Sequence, residues 1–121
     1  MASSKHFSDQ ELRCSHCGEN QMQPHFLELL ERIREKFQKP MIVSSGYRCP
    51  DHPIEAKKAK PGAHASGLAV DIACSGLDAW RLLDIALEEN VQGIGVQQTG
   101  GGRFIHLDIL EGENRPTVWS Y

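Results

Sequence analysis

No run of apolar residues in this chain of 121 approaches the roughly 18 needed to cross a bilayer as a helix. A helical membrane span is therefore not expected. The opening MASSKHFSDQELRC lacks the apolar stretch of a secretion signal, so the chain reads as cytoplasmic as synthesised. Basic residues form no stripe: 13 Lys and Arg are scattered among 16 Asp and Glu, for a formal charge of −3. Phosphate-backbone binding depends on such a stripe, so nucleic acid is excluded as a first reading. Internal repeats and low-complexity segments are missing too, and the length suits one domain, residues 1–121, burying about two thirds of its unfolded surface.

Cysteine is sparse. Four cysteines without a secretion signal do not make a disulfide framework. Cys14 and Cys17, in C-S-H-C, form a knuckle able to hold half of a zinc site, but Cys49 and Cys74 are isolated and no second C-x-x-C completes it. Buried or turn thiols are the simpler reading. A thioredoxin-like redox motif is weaker still, because no strand pattern precedes the pair.

What is present organises into alternating helix and strand patterns. Ser8 followed by Glu11 is a capping box for a short helix through about Arg13, with Phe7 beneath it. PHFLELLERIREKFQK carries Phe26, Leu30, Ile33 and Phe37 at helical spacing, which predicts an amphipathic helix over 24–39, stopped by Pro40. MIVSS predicts a strand over 41–45, followed by a loop bounded by Pro50 and Pro53. The Lys57, Lys58 and Lys60 cluster reads as a solvated loop face or as a basic lip beside an anionic substrate. Ser75 with Asp78 caps a second amphipathic helix carrying Leu77, Trp80, Leu82 or Leu83, and Leu87. VQGIGVQQ, a glycine turn and RFIHLDIL predict an antiparallel hairpin, and TVWSY a terminal strand or a segment lying across the sheet. The fold class is α+β, a small antiparallel sheet with helices packed on one face.

Two strands carry chemistry. In LAVDIAC, Leu68, Val70 and Ile72 face one way and Asp71 the other; in FIHLDIL, Ile105 and Leu107 oppose His106 and Asp108. A carboxylate in such a strand is costly unless something pairs with it. His64, seven positions before Asp71, and His106 supply with it the three ligands of a catalytic zinc site. Because H-x6-D is a loose pattern, spacing alone slightly favours a loop-capping His64, a hydrogen-bonded His106 and an Asp71 in a salt bridge.

The ordered stretches SSGYRCPDHP, HASGLAVDIA, GIGV and RFIHLDIL resemble the zinc D-Ala-D-Ala carboxypeptidase family, including phage endolysin peptidases, whose metal scaffold the hedgehog signalling domain shares. Ser45, Gly46 and Arg48 match its S-G-x-R, His64, Gly67, Ala69 and Asp71 its H-x-x-G-x-A-x-D, and His106 and Asp108 its closing H-x-D. HFSDQELRC and VWSY are similar to the two ends of small phage-type members. The resemblance implies Zn2+ held by His64, Asp71 and His106, with Arg48 binding a substrate carboxylate or the oxyanion, the alternative for Arg48 being a structural salt bridge. It further implies a monomeric peptidase of peptidoglycan stem peptides or cross-links, of carboxypeptidase or endopeptidase type, acting at the bacterial wall in phage or prophage lysis.

Three positions depart from the family pattern. Arg103 and Phe104 stand where relatives place a proton acceptor, which leaves Asp108 or, alternatively, His52 as general base, with Asp108 also able to act behind His106. Gly62 replaces a small polar residue two before His64. The missing base keeps open a binding module that retains the zinc scaffold without catalysis. A third reading is a zinc-knuckle protein acting through Cys14 and Cys17.

Overall fold

The computed structural model describes residues 3–57, 62–112 and 114–121. Lys58 and Lys60 of the basic cluster lie outside them. Ser8 caps α1 (Asp9–Leu12) in a reciprocal box with Glu11, and Phe7 is buried beside it. α2 (Pro24–Phe37) starts on Pro24 and stops two residues before the predicted end, where Gln38 turns left-handed. Its Phe26, Leu30, Ile33 and Phe37 are buried, as their spacing requires.

β1 (Ile42–Ser45), β2 (Ala69–Ala73), β3 (Gly93–Gln97), β4 (Phe104–Asp108) and β5 (Thr117–Ser120) form one sheet in the order β1-β2-β4-β3-β5. Short 3-10 turns at Glu55–Lys57 and Ala63–Ser66 punctuate the connection from β1 to β2. The expected antiparallel sheet is mixed: three pairings are antiparallel, but β5 runs parallel to β3. The reason is topological. β4 is flanked on both sides, so the chain reverses after it and reaches the free edge of β3 running opposite to β4.

Val70, Ile72, Ile105 and Leu107 are all at most 1% exposed, inside one core shared with α2 and α3 (Gly76–Glu88). Burying each such side chain is worth about 1.5–3 kcal/mol. The face expected for α3 is corrected. Leu77, Trp80 and Leu87 are exposed, and the helix docks through Ala79, Leu82, Ile85 and Ala86, whose two alanines allow a close approach. Ser75 occupies the N-cap without a side-chain hydrogen bond, and Asp78 pairs with Lys39 instead. Among the described residues, no helix is long and apolar enough to cross a membrane.

Candidate metal centre

The sheet face opposite the helices carries the polar residues of the alternating strands. A bulge in β1 between Val43 and Ser45 sets Ser45 opposite Asp71, and the same row continues through His106 and Gly95 to Trp119. His64 reaches this row from the turn before β2. One ligand atom each from His64, Asp71 and His106 lies within 4.8 Å of the others, and all three residues are buried.

The hydrogen bonds around these rings decide where their lone pairs point. His64 Nδ1 is 2.8 Å from the Gly46 carbonyl oxygen, which can only accept, so Nδ1 carries the proton and Nε2 faces Asp71 Oδ1 at 3.1 Å. His106 Nε2 is 2.7 Å from Asp108 Oδ2, so it donates there and Nδ1 faces the same Asp71 oxygen at 3.0 Å. Two imidazole lone pairs and a carboxylate oxygen thus converge and repel unless a cation, either protons or a metal, stands among them. This donor set fits zinc: two imidazoles and a carboxylate, each ring oriented by a carbonyl or carboxylate behind it.

Charge around the centre follows the same logic. Burial alone would raise the Asp71 pKa, but when protons are the cation among these donors, hydrogen bonds from the protonated His106 and His64 rings outweigh it and hold the carboxyl far below its usual range. Burial would lower His106, yet its bonds to Asp108 and Asp71 raise it. The other Asp71 oxygen meets Arg48 Nη2 at 3.5 Å. Arg48 also donates from Nε to Ser45 Oγ at 3.1 Å and pairs with the buried Glu55 at 3.4 Å.

The histidines and Asp71 floor a cleft of about 850 Å³, also lined by Arg48, Arg103, Phe104, Arg115, Trp119 and Tyr121. Asp108 and His52 do not line it. Asp108 is fully buried and engaged on both oxygens: Oδ2 by His106 and by Arg115 Nη2 at 2.9 Å, Oδ1 by Arg115 Nε at 3.0 Å and the Leu110 N–H at 3.2 Å. Against the cost of burial, the His106 and Arg115 bonds bring its pKa down to about 2. Although two residues separate by nearly 7 Å along a strand, these two side chains meet. Gly93 lies opposite Asp108, and a Cβ there would collide with that carboxylate and with Arg115. His52 turns elsewhere, its Nε2 3.3 Å from Ser15 Oγ and its Nδ1 accepting the Ile54 N–H at 3.1 Å.

Residues 5–108 match the peptidase M15 family model. The chain belongs to the peptidase M15 family. A search of curated proteins finds no match. M15 peptidases are zinc-dependent, and membership implies hydrolysis of peptide bonds in peptidoglycan. The match spans the first histidine, the aspartate and the second histidine of the buried centre, the donor set on which a zinc peptidase would rest.

Sequence reasoning missed two residues of this M15 peptidase's cleft region. Glu55 is buried beneath Arg48 and accepts the Gly62 N–H at 2.7 Å, while Arg115 grips Asp108 from beyond the matched segment. Neither sits in an apolar alternation or a ligand-like spacing, so no local pattern marks it. The sulfur atoms also gather unexpectedly: Cys49 joins Cys14 and Cys17, the three within 4.8 Å. Burial would raise Cys14, but backbone N–H groups of Cys49, Cys17 and His16 outweigh it and bring the thiol down to about 7.

Proposed function

We propose that this M15 peptidase holds Zn2+ through His64 Nε2, Asp71 and His106 Nδ1 and cleaves a peptidoglycan stem peptide or cross-link beside a free carboxylate. One observation carries the reading: three convergent, cation-demanding donors floor a cleft that also bears Arg48, Arg103 and Arg115. Zinc held by these three residues would supply Lewis acidity, activating water near neutral pH and polarising the scissile carbonyl. The chain's own residues do the rest. Arg48, held against Ser45 and Glu55, presents its guanidinium beside Asp71 to a substrate carboxylate or to the developing oxyanion. Arg115 secures Asp108, and Asp108 holds the His106 proton on Nε2, so that Nδ1 stays free.

In this reading Asp108 orients and does not take the catalytic proton, since its oxygens are engaged and turned from the cleft. Nor does His52 face the cleft. A carboxylate of the substrate, steered by the arginines, handles the proton in their place. The scaffold is the one this family shares with the hedgehog signalling domain, and the likeness of HFSDQELRC and VWSY to small phage-type members supports a monomer serving phage or prophage lysis at the bacterial wall.

The test is digestion of purified muropeptides by zinc-loaded protein, with products identified by mass. Loss of a terminal residue marks a carboxypeptidase, and separation of a cross-linked dimer an endopeptidase. A specific observation favours the non-catalytic alternative: among the described residues lining the cleft, Asp71 is the only carboxylate. One zinc equivalent lost with His106→Ala, but no muropeptide ever cleaved, would select that binding module.

A further inference from the structure

The turn after α1 is built around sulfur. Cys14 and Gly18 close it through the Gly18 N–H to the Cys14 carbonyl at 2.9 Å, and Gly18 sits at φ +79, a conformation that favours glycine. Amide groups point at the sulfurs: the Cys49 N–H donates to Cys14 Sγ at 3.3 Å and the Glu19 N–H to Cys17 Sγ at 3.5 Å. A thiol packed only as a small hydrophobe needs no such donors, whereas a thiolate's charge is stabilised by them. Cys49 arrives from the loop after β1, whose Tyr47 N–H is fixed to the Leu12 carbonyl at 2.8 Å.

All three sulfurs lie within 4.8 Å of one another. Around a tetrahedral zinc with Zn–S near 2.3 Å, sulfurs stand roughly 3.8 Å apart, so the cluster needs to contract by about 1 Å at most. Cys14 and Cys49 are buried and Cys17 is exposed, which leaves an entry path for an ion. The count also matters, because a disulfide between any two would strand the third. Cys74 lies outside the cluster, half-buried, with Sγ 3.5 Å from the Ile72 carbonyl.

We propose that Cys14, Cys17 and Cys49 bind a soft divalent ion of the zinc class as thiolates, forming a structural site separate from the His64–Asp71–His106 centre. The imidazoles of His16 and His52 stand nearby, with ring centroids 6.2 Å apart, but neither belongs to the sulfur cluster. The three thiolates therefore define the site, and solvent or a rotated ring fills the fourth position. Such an ion ties the turn after α1 to the loop carrying Arg48, the residue next to Cys49. The inference rests on the sulfur geometry and not on the peptidase reading.

The full chain, fully reduced and stripped with chelator, is titrated with Co2+ while the thiolate-to-cobalt charge-transfer absorption is followed. That band is expected to saturate within two equivalents in the parent and at one in His106→Ala, and to disappear on adding Zn2+. Cys49→Ser and Cys17→Ser should abolish it, and Cys74→Ser should leave it intact. Should a cysteine variant not fold, His106→Ala alone still decides, since the sulfur site is then the principal one remaining. Absence of the band from both the parent and His106→Ala overturns the proposal. So does an undiminished band in folded Cys49→Ser, or an anaerobic intact mass two hydrogens light, which marks a disulfide instead.

Discussion

Replacing Asp108 with Asn separates orientation of a metal ligand from proton transfer. Asp108 accepts from His106 Nε2 at 2.7 Å, from Arg115 at 2.9 and 3.0 Å, and from the Leu110 N–H at 3.2 Å. Asn offers one acceptor oxygen where there were two, so its amide must face a donor. With a native pKa of about 2 against roughly 3.9 unfolded, the ionised carboxylate contributes about 2–3 kcal/mol. Leaving the half-buried Arg115 without its partner adds to that loss, for an expected destabilisation of about 2–4 kcal/mol in urea unfolding. Zinc affinity, measured by chelator competition, should fall roughly 10- to 100-fold because Nδ1 of His106 is no longer held free. Turnover on a muropeptide at saturating zinc should stay within a few-fold of the parent. General-base loss is typically worth about 10² to 10⁴ in rate. A fall of that size in the zinc-saturated variant, with metal affinity unchanged, would refute the orienting role and return the proton to Asp108.

Arg48→Ala should lower kcat/KM by about 10- to 100-fold, as expected for a charge-assisted hydrogen bond of about 1.5–3 kcal/mol, and an unchanged value would remove Arg48 from substrate recognition. Gly95→Ala places a Cβ 2.8 Å from Trp119 Nε1, so the Trp119 and Tyr121 side chains must shift at a cost of about 1–3 kcal/mol; equal urea midpoints for variant and parent would contradict that contact. For the metal-free protein, Asp71 and Asp108 have native pKa values below their unfolded ones. Their stabilisation is thus fully present above about pH 5 and is lost as pH falls through about 2 and below, and Asp108→Asn should flatten that acid limb by about 2–3 kcal/mol. An acid limb equally steep in the variant would exclude Asp108 as its source.

Much of the site is legible along the chain because a strand's period of two reports its faces directly. Alternation alone separates Val70 and Ile72 from Asp71, and Ile105 and Leu107 from His106 and Asp108, and an Asp on the polar side of such a strand already asks for a cationic partner. The capping box at Ser8 and the apolar spacing of Phe26, Leu30, Ile33 and Phe37 are equally local, so α1 and α2 can be read from their own residues. α3 is less legible, because both Leu77–Trp80–Leu87 and Ala79–Leu82–Ile85–Ala86 keep helical spacing and only docking selects the second. The parallel β5, the hold of Arg115 on Asp108 and the meeting of Cys49 with Cys14 and Cys17 are decided by the tertiary structure alone. Each depends on strand register and on where a loop lands, and periodicity carries no information about which distant segments become neighbours.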